Sequence, residues 1–117
     1  MSKTITIDGV DYVPKEQLAQ KDGLKYVIIR AYSAGVFAGY LKERKKDEVI
    51  LLNSRRIHYW NGAASLSQLA TDGTSKPDEC NFPCEIEGEH EILGVIEVLP
   101  CTKKAQKSIN NVKIWKK

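Results

Sequence analysis

Two β-strands joined by a tight turn are predicted by residues 26–41, which read YVIIRAYSAGVFAGYL. Two kinds of side chain alternate along residues 26–32, and a period of two is the pattern of a strand whose two faces differ. One face carries the expected core side chains, Val27, Ile29 and Ala31. The other face is amphipathic and carries Tyr26, Ile28, Arg30 and Tyr32. The small residues 33–35 suit a tight connection into a second strand at 36–41.

Further strand signals follow along the chain. The charged run 42–48 is expected to form an exposed turn. Two more short strands are expected at 49–52 and 55–60, joined by Asn53 and Ser54. Four consecutive short strands with short polar connections favour an antiparallel meander that curls into a small barrel or half-barrel. The predicted fold class is therefore α+β and mainly β.

Two short helices are predicted in the second half of the chain. The first is expected over residues 63–71, with Gly73 placed to end it. The second is expected over residues 102–110, with Thr102 as its N-cap. Strands are expected at 84–87 and 92–99 around Gly88, and a last edge strand at 112–115.

The first 24 residues are predicted to form an arm in front of a single β-rich domain at 25–117. Polarity alternates along residues 4–13 on both sides of Asp8-Gly9, and Asp-Gly between alternating runs is a strong hairpin signal. A single helical turn is expected at 15–20. The arm could serve in assembly, because a lone hairpin is marginally stable in water and must pack against something.

The composition of the chain predicts one compact soluble domain. It has 117 residues, of which 42% are hydrophobic and 28% charged, and this excludes a disordered, collagen-like or disulfide-framework protein. No apolar run approaches the roughly 20 residues of a membrane span, and no signal-peptide stretch follows Met1. The sequence therefore predicts a protein that is not exported and has no membrane partner.

Charge is unevenly distributed along the chain, although its net value is only +3. Residues 25–56 hold eight basic and three acidic side chains, whereas residues 78–97 hold seven acidic side chains and no Lys or Arg. Residues 103–117 hold six lysines and no acidic side chain. Such asymmetry can direct an anion to one face of a protein. The alternative is that the charges only coat a solvated surface.

The strongest candidate for ligand binding is the stretch 55–67, RRIHYWNGAASLS. Arginine offers a planar fork for phosphate, and Trp or Tyr offers a stacking face for a base. Strand parity places Arg56, His58 and Trp60 on one side of the strand. It places Arg55, Ile57 and Tyr59 on the other side, which is the better core candidate. The backbone N–H groups at the start of the following helix, around Ser65, could attract an anion. The alternative is a tryptophan in the core beside solvated arginines.

The turn that follows Arg30 is a second candidate. Tyr32 and Ser33 offer hydroxyls there, and Gly35 permits close approach of a ligand to the backbone. An ordinary hairpin needs the same small residues, so both a binding and a purely structural role are open.

Catalytic and metal-binding patterns are weak. Cys80 and Cys84 are separated by three residues, but zinc sites usually use two close cysteine or histidine pairs and only one is present. With no export signal, reduced thiols are expected. Ser65 or Ser67 could be paired with His58 as nucleophile and base, but no G-x-S-x-G elbow is present. Phosphate-loop and dinucleotide fingerprints are absent as well. The sequence thus predicts no metal, no cofactor and no enzyme of familiar type.

Residues 26–41 and 55–70, the latter reading RRIHYWNGAASLSQLA, resemble a domain of unknown function found in tailed phages and prophages. The resemblance runs from about Tyr26 to Ile109 and includes Gly73 and the Cys101-Thr102 pair. It implies a small phage accessory protein in the cytoplasm of the bacterial host, and many such proteins act against host defences. One class consists of small oligomeric sponges that bind nucleotide immune signals without cleaving them.

The leading hypothesis is therefore a homo-oligomeric protein that sequesters an anionic nucleotide signal. Its expected ligand-binding residues are Arg30, Tyr32, Ser33, Gly35, Arg55, Arg56, Tyr59, Trp60 and Ser65. A second hypothesis is a nucleic-acid-binding module that uses the lysine-rich tail and the Arg55-Arg56 strand. A third is an inhibitor that binds a host protein directly through the acidic residues 78–97.

Overall fold

A computed structural model describes the backbone of residues 5–7 and 10–12, and residues 17–117 in full. Eight β-strands and two α-helices lie in this described part. The strands are β1 (Ile5–Ile7), β2 (Val10–Tyr12), β3 (Gln20–Lys21), β4 (Leu24–Ala31), β5 (Gly35–Lys45), β6 (Glu48–Arg56), β7 (Glu85–Ile92) and β8 (Val95–Pro100). The helices are α1 (Leu66–Asp72) and α2 (Lys103–Asn111), and a short 3-10 helix lies at Pro77–Glu79.

Strands β3 to β8 form one antiparallel sheet in the order β3-β4-β5-β6-β7, with β8 paired to β4. One edge of β4 is shared, since β3 pairs with residues 24–25 and β8 pairs with residues 27–31. Strands β7 and β8 follow each other along the chain but do not pair within the described residues, so the sheet is open. The predicted fold class, α+β and mainly antiparallel β with two short helices, is confirmed, and the open sheet is consistent with the predicted barrel or half-barrel.

The predicted N-terminal hairpin is confirmed by the pairing of β1 with β2, in which Ile7 lies opposite Val10. Residues 1–4, 8–9 and 13–16 lie outside the described residues, and with them the first two positions of the helical turn predicted at 15–20; its last residue, Gln20, belongs to β3. The end of the predicted arm contacts the domain, because the N–H of Ala19 donates to the carbonyl of Cys101 (2.8 Å) and Ala19 is buried.

The middle strands are longer than predicted. The charged run continues as strand through Lys45, and only Lys46 and Asp47 form the turn, with Lys46 at a φ of 56°. The two strands expected around Asn53 are one strand, β6. Asn53 adopts a φ of 52° there, and the register shifts between Leu52 and Ser54. A bulge of this kind absorbs one extra residue without ending the strand, and Asn tolerates the left-handed region better than most residues.

The break in the last hairpin was predicted at the wrong glycine. Gly88 lies inside β7 with a φ of 79°, at the same shift in the β6–β7 register that contains Asn53. The turn before β8 falls at Leu93 and Gly94 instead. The expected edge strand at 112–115 is reduced to a single bridge between Ile114 and Phe82. Both differences depend on pairing between distant segments, which local patterns do not encode.

Strand β4 is buried on both faces, because the sheet separates two hydrophobic cores. The helix-side core combines one face of the sheet with the helices and includes Tyr26, Ile28, Leu69, Phe82 and Ile109. The strand-side core is built from strand residues and includes Val27, Ile29, Phe37, Leu51 and Ile92. The expected core face of Val27, Ile29 and Ala31 is confirmed, but the face expected to be amphipathic is also core at Tyr26 and Ile28.

Helix α1 begins later than predicted because Ser65 is its N-cap, and its hydroxyl accepts a hydrogen bond from the N–H of Gln68 (3.1 Å). Gly73 ends the helix as predicted, at a φ of 77°. A Cβ at this position would lie 2.3 Å from Cβ of Ser108 in α2, so both backbone angle and space require glycine. The predicted N-cap of α2, Thr102, is confirmed.

Thr102 links the start of α2 to the last turn of α1, and its replacement by alanine should destabilise the protein by about 1–2 kcal/mol. Its hydroxyl accepts from the N–H of Ala105 (3.0 Å) and donates to the carbonyl of Thr71 (2.6 Å). Urea unfolding followed by circular dichroism measures the loss. Thr102→Ser keeps the hydroxyl and should retain most of the stability; an equal loss in both variants would contradict the capping role.

Candidate functional site

A surface groove on the helix side of the sheet brings together two of the predicted ligand-binding residues, Arg30 and Trp60. Its volume is about 390 Å³, and its lining residues are Arg30, Val36, Trp60, Leu66, Ser67 and Glu97. We call it the Trp60 groove. This volume lies within the range of small-molecule sites, which combine apolar walls with a few polar groups.

The sheet supplies one side of the Trp60 groove. Arg30 lies in β4, where it is paired in register with Val36 of β5 and with Glu97 of β8. Three neighbouring strands therefore place these side chains next to one another on one face. The other side is formed by Trp60 and the first turn of α1, with Leu66 and Ser67.

Trp60 lies on the opposite face of the sheet from Arg56, contrary to the prediction from strand parity. Strand β6 ends at Arg56, so the alternation does not continue to residue 60. Trp60 is half-buried and packs against the helix-side core. The rest of its surface lines the groove, which gives the indole both a fixed position and an accessible part. A planar ligand could stack there.

Arg30 is not free to act as a simple cation, because its Nε lies 3.4 Å from Oε1 of Glu97. The two side chains are 52% and 40% exposed, so solvent weakens their attraction. Arg30 and Glu97 together leave the groove lining with one positive and one negative charge. The groove therefore offers hydrogen-bond donors and acceptors rather than a strong positive field.

Arg55 is buried, with 4% of its surface exposed, although it was predicted to bind ligand. Its guanidinium donates four hydrogen bonds of 2.7–3.0 Å to main-chain carbonyls. The acceptors are Phe82, Pro83, Ile109 and Val112. Burial lowers the pKa of Arg55, whereas Tyr26 and Glu85 raise it. The side chain links β6 to the loop before β7 and to the end of α2, and we remove it from the candidate ligand set.

Arg56 contacts the turn between β4 and β5. Its Nη1 donates to the carbonyl of Ala34 (2.7 Å), and its guanidinium carbon lies 4.4 Å from the centre of the Phe37 ring. Ser33 in the same turn is exposed, and Gly35 has a φ of 110°. A Cβ at Gly35 would make an ordinary contact with Arg56 Nη1 (3.5 Å), so the positive φ, and not the space, favours glycine there. Arg56 and the turn thus form a unit separate from the lining of the Trp60 groove.

The start of α1 is not an open set of donors. The N–H of Ala64 donates to the side-chain carbonyl of Gln68 (2.7 Å), and the N–H of Gln68 donates to the hydroxyl of Ser65 (3.1 Å). Ser65 thus has a capping role, and a helix of seven residues carries only a weak dipole. We therefore assign no anion-binding role to this end of the helix.

Two predicted tyrosines lie at the surface. Tyr32 is 86% exposed at the end of β4, where its N–H donates to the carbonyl of Gly94 (2.8 Å). Tyr59 is 51% exposed and its backbone pairs with Asn81. Neither residue lines the Trp60 groove.

His90 in β7 contacts a hydroxyl and an aromatic ring beside the strand-side core. Nδ1 of His90 lies 2.6 Å from the hydroxyl of Ser54, and its ring packs edge-on to Phe37 at 5.0 Å. Burial, and secondarily Arg56, lower the pKa of His90. Ser54 is fully buried, so a substrate could not reach its hydroxyl. The pair is therefore structural.

A second aromatic surface, missed from the sequence, lies at the C-terminal end of the chain. The rings of His58 and Trp115 are stacked at 4.9 Å with an angle of 14° between them. The N–H of Trp115 donates to the carbonyl of Phe82 (2.9 Å), which fixes the backbone there. Exposed lysines surround it in sequence, Lys113, Lys116 and Lys117.

The acidic segment identified in the sequence forms an edge strand. In β7, which pairs only with β6 among the described strands, four glutamates are exposed: Glu85, Glu87, Glu89 and Glu91. Charged side chains on an edge discourage pairing with strands of other molecules. Nζ of Lys42 lies 2.7 Å from Glu89, so one of these charges is paired.

The three cysteines are free thiols, with Cys80 and Cys101 buried and Cys84 exposed. Burial raises the pKa of Cys101 to about 12. No group of three or more His, Cys, Asp or Glu side chains is placed to hold a metal ion in the residues that the structure describes. Over the same residues, neither helix has the length and apolar character needed to cross a membrane.

A family model described as a domain of unknown function (DUF6948) matches residues 24–109. No curated protein and no solved structure matches the chain significantly. The matched range starts at β4 and ends within α2, so it covers the sheet from β4 onward and the whole Trp60 groove.

Proposed function

Because the chain belongs to the DUF6948 family, whose function is unknown, we propose a function from its own geometry: it binds an anionic nucleotide in the Trp60 groove and holds it without cleaving it. The observation that carries this proposal is the presence of an accessible tryptophan and a half-exposed Arg30–Glu97 pair in one groove of about 390 Å³. Aromatic rings stack on bases, and paired polar groups fix the orientation of a planar ligand.

The geometry changes the expected division of roles among the arginines. Arg55 is committed to main-chain carbonyls and Arg56 to the β4–β5 turn, and Arg30 shares its charge with Glu97. In our proposal the base lies in the groove and the phosphates extend towards its open side. Retention of a nucleotide does not require a catalytic group, and the fully buried Ser54 beside His90 is not positioned to supply one.

We further propose that the protein works as a homo-oligomer, since an open groove leaves much of a bound nucleotide in solvent. A second subunit could cover the phosphates and add positive charge. The resemblance of residues 26–109 to tailed-phage proteins suggests the setting: the host bacterial cytoplasm, where retention would withdraw a nucleotide signal from antiviral defence.

Isothermal titration calorimetry and native mass spectrometry of the full chain test the proposal. The probes are GMP, AMP, CMP, UMP and a cyclic dinucleotide. We expect saturable binding of at least one probe, a stoichiometry that matches the number of grooves in the oligomer, and recovery of the probe unchanged after prolonged incubation. Absence of binding would overturn the proposal, and conversion of the probe would overturn its non-catalytic part.

Nucleic-acid binding is a second candidate function, favoured by the stacked His58–Trp115 surface beside the exposed terminal lysines. Single-strand binders combine aromatic stacking with a positive groove. For this candidate we expect affinity for oligothymidylate to rise with strand length and to fall with salt. The slope of the logarithm of the binding constant against the logarithm of the salt concentration should be about −0.7 for each phosphate contacted. Fluorescence anisotropy measures both trends; an affinity independent of salt and length would exclude this candidate.

A further inference from the structure

The Arg30–Glu97 pair in the Trp60 groove has hydrogen-bonding capacity that the protein itself does not use. Nε of the guanidinium lies 3.4 Å from Oε1 of the carboxylate, and both side chains are about half-exposed. An arginine carries five N–H donors and a carboxylate has about four acceptor sites, so both groups can bind a further partner. Strand pairing fixes their positions, because Arg30 and Glu97 are opposite each other in β4 and β8.

A phosphate is a poor partner for this pair. Its negative charge would be attracted to Arg30 but repelled by the carboxylate of Glu97, which lies 3.4 Å from Nε of Arg30. A neutral planar group with acceptors next to donors satisfies both side chains at once. The edge of a nucleobase is such a group, and Trp60 lines the same groove as a surface on which the ring can stack.

Among the common bases, guanine fits best. Its O6 and N7 are the acceptors to which arginine donates in many complexes. Its unpaired N1–H and N2–H groups are adjacent donors, so one carboxylate can accept both, whereas adenine, cytosine and uracil lack two adjacent ring and exocyclic donors of this kind. We propose that Glu97 makes the Trp60 groove selective for guanine, with Arg30 donating to O6 or N7; this inference rests on the proposed nucleotide-binding function.

The first test uses the unaltered protein and compares GMP, inosine 5′-monophosphate and AMP by calorimetry. Inosine lacks only the N2 amino group, so it removes one of the two hydrogen bonds to Glu97. Hydrogen bonds to charged groups are stronger than neutral ones, and we expect inosine monophosphate to bind about tenfold more weakly than GMP. AMP should bind at least as weakly as inosine monophosphate. Equal affinity for the three probes would overturn the inference while leaving nucleotide binding intact.

The second test is Glu97→Gln, an isosteric change at a half-exposed position. It removes one acceptor, so GMP affinity should fall about tenfold while AMP affinity stays within about threefold of the parent. Glu89→Gln is the matched control, since Glu89 is also a strand glutamate paired with a cation but lies outside the groove. It should leave both affinities unchanged.

The same variant separates the alternatives. If Arg30 binds phosphate instead, loss of the neighbouring carboxylate should strengthen binding of every nucleotide, which would overturn guanine selection but support the proposed function. An unchanged GMP affinity in Glu97→Gln would also overturn guanine selection. Failure of the parent protein to bind any nucleotide would overturn the proposed function and this inference together.

Discussion

Replacement of Trp60 by alanine is expected to lower nucleotide affinity about tenfold or more while the protein stays folded. Stacking of a base on an aromatic side chain contributes about 1–3 kcal/mol, and a tenfold change corresponds to about 1.4 kcal/mol. Trp60 lines the groove with part of its ring and packs against the helix-side core with the rest. Calorimetry with GMP measures the affinity, and circular dichroism shows whether the fold is retained.

Two matched variants make the Trp60 experiment specific. Trp60→Phe keeps an aromatic face and should retain a large part of the affinity. Trp115→Ala removes the other tryptophan, which is stacked on His58 outside the groove, and should leave GMP binding unchanged. The reverse pattern, with loss in Trp115→Ala alone, would contradict binding in the groove and favour binding at the C-terminal surface.

A third variant gives a direct signal from the groove. In Trp115→Phe, Trp60 is the sole tryptophan, so quenching of its fluorescence by GMP reports stacking on Trp60.

Replacement of Arg55 by alanine should destabilise the protein by about 3 kcal/mol or more, because it removes four hydrogen bonds to main-chain carbonyls, three of them in the interior. A carbonyl left without a partner in the interior loses the hydration that it has in the unfolded chain. This loss is a large share of the 5–15 kcal/mol that stabilises a typical domain. Urea unfolding followed by circular dichroism measures it.

Arg56→Ala is the control for Arg55, since it makes the same change at the next residue. Arg56 is half-buried, donates one hydrogen bond to Ala34 and packs over Phe37, so we expect a loss of about 1 kcal/mol. Arg55→Lys should recover only part of the lost stability, because an ammonium cannot reproduce the planar fork that reaches carbonyls in two segments. Equal losses at Arg55 and Arg56 would show that the buried hydrogen bonds contribute little.

Local patterns predicted most elements of the fold. Alternation identified the core face of Val27, Ile29 and Ala31, the residue type of Thr102 identified the cap of α2, and Gly73 marked the end of α1. The errors lie where a strand is longer than its pattern. The residue types of Asn53 and Gly88 indicated strand ends, but both residues lie at a bulge in the β6–β7 pair. The pairing of β6 with β7 continues on both sides of the bulge, so neither strand ends there.

The candidate site was harder to predict than the fold. Arg30 and Trp60 were both expected to bind ligand. Glu97 was not recognised as part of the site, because it pairs with Arg30 from a position 67 residues further along the chain. Strand parity assigned Arg55 to the side of Ile57, the better core candidate, and the burial of Arg55 agrees with that assignment. Its four hydrogen bonds to main-chain carbonyls could not be predicted, because the acceptors lie in distant segments of the chain. The alternation along β6 places Arg55 on the helix side of the sheet and Arg56 against Phe37.

The sequence by itself determined the strand-rich class, the two capped helices and the types of side chain available for ligand binding. These properties follow from short-range alternation and from capping preferences, which act over a few residues. The tertiary structure alone decided that β4 lies between two cores, that Arg55 is structural and that Arg30, Trp60 and Glu97 share a groove. The physical reason is that sheet pairing and helix packing bring together residues that are distant in the chain, and bulges shift which of them face each other.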